Sequence, residues 1–313
     1  MKRFLILFAL VTLSISLRAQ QKDSTKKTTE KQTAADSLLN SISADDQQEH
    51  NINAFKGTRL ILGLTPVTIK KNNLNFMVVH RFGDMAGKIG GPQTFFGLDA
   101  VSDVYIGFEY GISDNLTASL GRNTIGQLIE GGLKYAVLHQ TSDGKSPVAI
   151  SLVGEYGVRP YGSFPDYGSR VSYLAQAIFA SRLTQDFSLQ VSPVFISDNT
   201  PIPNIPGNDK QFVTLEAAMK YKVSKHMGII VDYAHPFSSF RTGANGFSDP
   251  LGAGIEVETG GHVFTLNVSN ARANSEINSF SASQSDYARG QYRLGFTISR
   301  MFDFNHHKKD TAK

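Results

Sequence analysis

The stretch DVYIGFEYGISDNLTASLGR, residues 103–122, alternates between apolar and polar side chains along two consecutive segments. One face of the first segment carries Val104, Ile106, Phe108, Tyr110 and Ile112, and the other carries Asp103, Tyr105, Gly107, Glu109 and Gly111. Successive side chains of a β-strand point to opposite faces, so this pattern predicts a hairpin with one apolar and one polar face. The apolar face must lie against either a protein core or membrane hydrocarbon.

The same alternation recurs from Asn73 onward, in segments of about ten residues, the length that crosses a membrane as a tilted strand. The apolar faces are nearly free of charge, as lipid requires, because Lys or Arg at the bilayer midplane costs ~2–4 kcal/mol. Connections alternate in length, with short turns at 113–115, 184–186, 224–226 and 259–261 and long loops at 83–102, 198–210, 236–250 and 270–289. Short periplasmic turns and long external loops are typical of outer-membrane barrels.

The alternation of short turns and long loops between these segments predicts an all-β fold. We expect a transmembrane antiparallel up-and-down β-barrel of about 12 strands, with about 14 as the alternative. Counting back from the last strand, QYRLGFTISRMFDF, leaves the segment GTRLILGLTPVTI, residues 57–69, ahead of the first strand. We expect this segment to be a periplasmic lead-in. The alternatives are a piece tucked into the lumen and a strand of a larger barrel. The predicted barrel domain spans residues 57–304.

The N-terminal sequence MKRFLILFALVTLSISLRAQ has a basic start, an apolar run over residues 4–17 and a small residue at a cleavage position. The run is shorter than the ~20 residues of a spanning helix, so it predicts a signal peptide over residues 1–19 and export to the cell outer membrane. Residues 20–56 are polar and predict a disordered leader, and residues 305–313 predict a charged periplasmic tail.

Three pieces of the sequence together resemble a known family. They are TPVTIKKNNLNFMVVHRFGD, the glycine-rich GGPQTFFGLDAVSDVYIGFEYGISDNLTASLGR and the aromatic-ended final strand. They resemble a family of uncharacterised outer-membrane β-barrels found in Bacteroidota, over roughly residues 57–304. The resemblance implies the barrel and its location. It implies no substrate and carries over no catalytic residue.

Charged residues on the predicted lumen face are the candidate pore-lining groups. They are Arg81, Glu109, Glu130, Lys134, Glu155, Arg159, Arg182, Glu216, Lys220, Asp232, Glu256 and Arg293. Such groups either select permeating solutes or pair with one another and keep a narrow barrel shut. Their mixed signs argue against a strongly anion- or cation-selective channel.

His80 and Asp84, beside Arg81, lie where a predicted strand meets a long loop. One interpretation is a rim binding site for an anion or a sugar. We favour a structural rim cluster, with His80 at the membrane interface and Arg81 paired in the lumen. The glycine-rich loop that follows, residues 83–97, either folds into the pore as a constriction or forms an ordered surface loop.

The sequence offers little for catalysis or cofactor binding. Cysteine is absent, which excludes thiol chemistry, and the nearest esterase-like pair is His235 with Ser238 or Ser239, in no defensible motif. His306 and His307 lack close acidic partners, so we predict no metal site, no cofactor and no catalytic residue. A net charge of +4, much of it in the tails, does not indicate a nucleic-acid partner.

These observations predict an exported outer-membrane barrel without enzymatic activity. We expect passive or facilitated passage of a small solute that the sequence does not name. The alternative is a closed structural barrel that holds a partner through its leader or long loops. The expected partners are outer-membrane lipid, the barrel-assembly machinery during insertion and the solute itself.

Overall fold

The structure is a computed structural model and describes residues 51–200 and 209–305. The predicted signal peptide, the leader up to residue 50 and the tail after residue 305 lie outside the described residues, so these assignments stay predictions. Within the described ranges, no helix is long and apolar enough to cross a membrane.

Strands make up most of the regular secondary structure of the described residues. In chain order they are β1 (Asn51–Ile52), β2 (Asn73–Asp84), β3 (Val101–Ser113), β4 (Leu116–Asn123), β5 (Ile129–Leu138), β6 (Gln140–Thr141), β7 (Ala149–Val158), β8 (Val171–Arg182), β9 (Phe187–Asp198), β10 (Gln211–Lys222), β11 (Met227–Phe237), β12 (Leu251–Thr259), β13 (His262–Ser269) and β14 (Arg293–Asp303). A short helix, α1 (Glu276–Ser281), lies between β13 and β14.

Strands β2 to β5 and β7 to β14 close into one barrel of twelve strands. Each strand is antiparallel to its neighbours in the sequence, and β14 pairs with β2 to complete the ring. Closure leaves no strand edge with unpaired backbone groups, which is the condition for a sheet to lie in hydrocarbon. The prediction of an all-β, up-and-down barrel of about 12 strands is confirmed, and the count of 14 is excluded.

The hairpin over residues 103–122 has the apolar face and the polar face that its sequence predicts. The side chains of Ile106 and Phe108 on β3 point outward and are 46% and 44% exposed. Those of Asp103 and Glu109 point inward and are 0% and 5% exposed. The polar face of this hairpin therefore faces the barrel interior, and its apolar face forms the outer surface.

An apolar belt continues around the outside of the barrel. Exposed examples on nine further strands are Leu133, Leu152, Phe179, Leu189, Leu215, Ile229, Ile255, Leu266 and Ile298. Soluble monomers rarely expose contiguous apolar patches of more than a few hundred Å². A belt that encircles the molecule is suited to lipid rather than water.

Short connections lie at one end of the barrel and long loops at the other, as predicted, with two exceptions. Short turns at 114–115, 183–186, 223–226 and 260–261 lie at the end where β2 begins and β14 finishes. At this end residues 139–148 form a longer link, because its strand β6 pairs with β1. At the opposite end, residues 124–128 make an unexpectedly short link between β4 and β5.

The prediction for residues 57–69 as a periplasmic lead-in is wrong. Leu60, Leu62 and Leu64 of this segment are buried and contact side chains on the inner face of the barrel, so the luminal alternative holds. Outside the barrel these apolar side chains would lie in water, whereas the lumen buries them. The preceding Ala54 and Phe55 are also buried.

We expect the cost of a charge on the outer face to depend on its depth. Leu215→Arg lies near the middle of β10 and should lower the free energy of unfolding in lipid vesicles by ~2–4 kcal/mol. The matched variant Tyr221→Arg, on the same face near the strand end, should cost only about 0–1 kcal/mol. Urea titration in vesicles measures both. Equal costs at the two depths would contradict the assignment of the belt to lipid.

Candidate functional site

Residues 57–69, called the plug from here on, form a tight hairpin inside the barrel. The amide of Leu60 donates to the Gly63 carbonyl at 2.8 Å, and that of Thr65 donates to the Thr58 carbonyl at 3.0 Å. The chain enters and leaves at the short-turn end, where the plug runs directly into β2. The tip of the hairpin therefore points into the lumen.

Polar side chains of the wall hold the plug tip by its backbone. Asp232 on β11 accepts from the Leu62 amide at 2.7 Å and from the Gly63 amide at 3.4 Å. Gln190 on β9 donates to the Leu64 carbonyl at 2.7 Å. Hydrogen bonds that involve a charged group in a buried site are among the stronger ones in proteins, so Asp232 is a principal anchor of the tip.

Two cationic side chains hold plug carbonyl oxygens from the other side of the lumen. Lys134 Nζ on β5 donates to the carbonyls of Thr58 and Val67, at 3.1 and 3.2 Å. Arg81 Nη2 on β2 donates to the Ile61 carbonyl at 3.3 Å. The wall thus contacts both legs of the hairpin.

Glycines allow the plug and the wall to approach closely. A Cβ on Gly63 would lie 1.8 Å from Oε1 of Glu216 on β10. A Cβ on Gly252 of β12 would lie 2.6 Å from the Ile61 Cγ2 atom in the plug. A larger residue at either position forces the plug or the facing side chain to move.

A second segment, residues 270–285, closes the lumen from the opposite end and is called the inner loop. It contains α1, whose Ile277 and Phe280 are both fully buried. The side chain of Ser275 caps α1 by accepting from the Asn278 amide at 3.3 Å. The connection between β13 and β14 is therefore partly a surface loop and partly a filling of the barrel.

The plug and the inner loop contact each other in the lumen. Arg59 Nη2 donates to the Asn274 carbonyl at 2.7 Å, and the Leu64 amide donates to Glu276 Oε1 at 3.1 Å. The Arg59 guanidinium also lies 5.1 Å from the centre of the Tyr105 ring. A cavity of about 10 Å³ lies beside Arg59 and Tyr105, about the space that one water molecule needs.

Burial also affects the titration of Glu276. Its carboxyl is enclosed where the plug meets the inner loop. Burial, together with the nearby Glu155 carboxylate, raises the pKa of Glu276 to about 8, although the Arg59 guanidinium acts in the opposite direction. The protonation state of this contact therefore changes near pH 8.

Most of the predicted lumen charges are indeed inside the barrel. Those that contact or adjoin the plug are Arg81, Glu109, Lys134, Glu216 and Asp232. Those that pair within the wall are Lys220 with Glu256, Arg293 with the rim residue Asp84, and Arg159 with Asp198. Glu130 is buried and Glu155 half-buried near the Arg59 guanidinium.

Two predicted residues lie elsewhere. Arg182 is exposed at the short-turn end of β8, where the alternation is weak, so it is not part of the luminal cluster. His80 points outward and packs between the rings of Phe82 and Phe296, with centroids 4.4 and 5.2 Å away. This placement matches an interfacial histidine, and Arg81 faces the lumen as expected.

The glycine-rich loop after β2 stands outside the lumen. Its Phe95 and Phe96 rings are 63% and 52% exposed, and both residues have positive φ angles. Of the two alternatives for this loop, the ordered surface loop is the one observed.

The residues around His235 do not form a nucleophile–base pair. His235 Nδ1 contacts Asp249 at 2.8 Å, whereas Ser238 and Ser239 donate to Asp209 at 3.1 and 3.2 Å. Ser238 also accepts backbone amides of the turn that follows β11. In the described part of the chain, no cluster of three His, Asp or Glu side chains is arranged to hold a metal ion.

Several residues of the site were not predicted. Arg59, Asn274 and Glu276 lie in segments without a strand pattern. Gln190 is neutral, whereas the candidates predicted on the lumen face are all charged. The one signal available was the apolar run LILGL in residues 60–64, which needs a place to be buried.

Comparison with known proteins adds a family and distant structural likenesses. Residues 55–302 match a family model described as Membrane bound beta barrel domain (DUF5777). No curated protein matches the sequence. The structure is similar to the NanC porin (8% identity, TM-score 0.45, 73% of this chain and 98% of that chain) and the KdgM porin (9%, 0.42, 74% and 99%). It is also similar to Omp33 of Acinetobacter baumannii (8%, 0.40, 74% and 99%).

We expect the stability of the closed barrel to fall as pH rises. Between pH 4.5, the ordinary pKa of a glutamate, and about 8, the folded protein keeps a proton on Glu276 that the unfolded chain has lost. The free energy of unfolding therefore decreases over this window. Glu276→Gln should remove that part of the slope.

Urea midpoints in vesicles from pH 5 to pH 8 measure the effect. Glu258→Gln, near the end of β12, is the matched control for the loss of a glutamate. An unchanged slope in Glu276→Gln would show that this carboxyl does not titrate as described.

Proposed function

Because the chain belongs to the membrane-bound beta barrel domain family, we propose that it is an outer-membrane channel for small solutes, without enzymatic activity, that its own plug holds closed. The signal-peptide pattern supports the outer membrane, since it predicts export, and exported closed barrels span that membrane. Origin in Bacteroidota remains an expectation from the sequence resemblance alone.

Unpaired polar atoms in the lumen are the observation that favours a channel over a permanently closed core. Among the described residues, Gln176 Oε1, Gln190 Oε1, Glu276 Oε2 and Asn123 Oδ1 are buried without a hydrogen-bond partner. Each such atom costs about 1–3 kcal/mol, and packed cores contain few of them. Water that enters when the plug withdraws would hydrate these oxygens, as expected of groups that line a channel.

The plug is also held by non-covalent contacts that can break and form again. Apart from the side chains of Thr58, Arg59 and Thr68, the plug is contacted through its backbone hydrogen bonds and through apolar packing. The plug is joined to the barrel at the short-turn end, so its tip can withdraw in that direction without crossing the wall. Arg59 and Leu64 of the plug also hold the inner loop, so withdrawal of the plug removes contacts that keep the inner loop in place.

A closed structural barrel is the second candidate, and one observation favours it. The plug, the inner loop and the inner faces of β8 to β11 share a single apolar cluster. Such packing resembles a protein core, and the cavity beside Arg59 has a volume of about 10 Å³. In that case the long loops and the leader would serve to hold a partner.

We expect Gly252→Leu to open the channel. Its side chain would collide with Ile61, and overpacking of this kind costs about 1–3 kcal/mol. Since 1.4 kcal/mol is a factor of ten, the open fraction should rise roughly tenfold. Purified protein in planar bilayers should show stepwise conductance far more often than wild type.

Gly154→Leu is the matched control for this experiment. Gly154 is exposed on the outer face, and a Cβ at this position would have no heavy atom within 4 Å, so the same substitution should leave conductance at the wild-type level. Equal conductance in both variants would contradict a role for the plug. Absence of conductance in correctly inserted Gly252→Leu would favour the closed structural barrel.

A further inference from the structure

The lumen wall contacts the plug as a binding site contacts a peptide. Side chains from β2, β4, β5, β7, β9 and β11 bind its main-chain amides and carbonyls. Besides those described above, Thr117 accepts from the Ile69 amide at 2.8 Å, and Ser151 donates to the Pro66 carbonyl at 2.8 Å. Main-chain recognition of this kind depends on the peptide backbone rather than on one particular sequence.

Apolar side chains of the plug are covered by a matching surface. The plug contributes Leu60, Ile61, Leu62 and Leu64 to the luminal cluster, and the wall contributes Leu174, Ile178, Val194, Ile196 and Ile230 from β8, β9 and β11. If the plug left an empty channel, the part of this wall that the inner loop does not cover would be exposed to water. A solute with apolar groups would cover it again, whereas a saccharide or an inorganic ion would not.

Arg59 occupies a site suited to a cation. Its guanidinium faces the Tyr105 ring and donates to the Asn274 carbonyl. The carboxyl groups of Glu276, Glu130 and Glu155 are close enough to act on its charge when they are ionised. Aromatic faces and carbonyl oxygens both attract cations. Withdrawal of the plug removes Arg59 and leaves these groups without their positive partner.

We propose that the solute is a short peptide with a basic residue beside apolar ones, and that the plug is its intramolecular mimic. This inference rests on the proposed function, because a peptide can occupy the lumen only after the plug has moved. The peptide and the plug then compete for the same main-chain donors and acceptors, the same apolar wall and the same cation site.

The test uses the full-length Gly252→Leu protein in proteoliposomes and planar bilayers. The probes are the capped pentapeptides LKVGL and LEVGL and the neutral trisaccharide maltotriose. LKVGL differs in sequence from the plug, so its entry would not reflect mere reassembly of the plug. We expect LKVGL to enter about tenfold faster than either other probe, because charge complementarity discriminates strongly in a buried site.

Substitution of two tyrosines on β3 distinguishes loss of the cation site from a general disruption of the barrel. In the Gly252→Leu background, Tyr105→Leu should abolish the preference for LKVGL over LEVGL while conductance persists. Tyr110→Leu, on the outer face of β3, should leave the preference unchanged.

The outcomes distinguish the two levels of the proposal. If Gly252→Leu conducts ions but admits all three probes at equal rates, the peptide inference is overturned and the channel stands. If it conducts nothing, the channel proposal fails and the peptide inference fails with it. A preference that survives in Tyr105→Leu contradicts the cation site at Arg59.

Discussion

The need to pair every backbone amide and carbonyl within hydrocarbon determines the rest of this structure. A sheet in lipid has no water to satisfy an open edge, so β14 must return to β2 and close the ring. Closure with twelve strands creates an interior wider than the roughly eight-stranded barrels that wall side chains alone can fill. The chain fills this space with two of its own segments, the plug and the inner loop.

The interior is consequently packed like a protein core. Arg81, Lys134 and Asp232 face inward because the outer face belongs to lipid, and they bind the plug through its backbone. The plug enters from the short-turn end and the inner loop from the other, and they meet at Asn274 and Glu276. Because each segment provides contacts for the other, loss of one should weaken the closure at the opposite mouth.

The barrel could be predicted because lipid imposes a period of two on every strand, and β3 follows it with Asp103 and Glu109 inside. The plug could not be predicted with the same certainty. A short apolar run such as residues 60–64 suits a strand, a lead-in or a buried hairpin equally well. Its anchor Asp232 lies 170 residues from Leu62, a proximity that only the closed ring creates.

Disulfide formation between the plug and the wall tests the account most directly. The chain has no cysteine, and a Cβ on Gly252 would lie 3.2 Å from the Ile61 Cβ, close to the 3.5–4.5 Å of a disulfide. In the membrane-inserted protein, Ile61→Cys with Gly252→Cys should cross-link on mild oxidation, as a reductant-sensitive shift in gel migration. Ile61→Cys with Gly154→Cys should keep two free thiols. Free thiols in the first pair would place the plug outside the lumen and contradict the account.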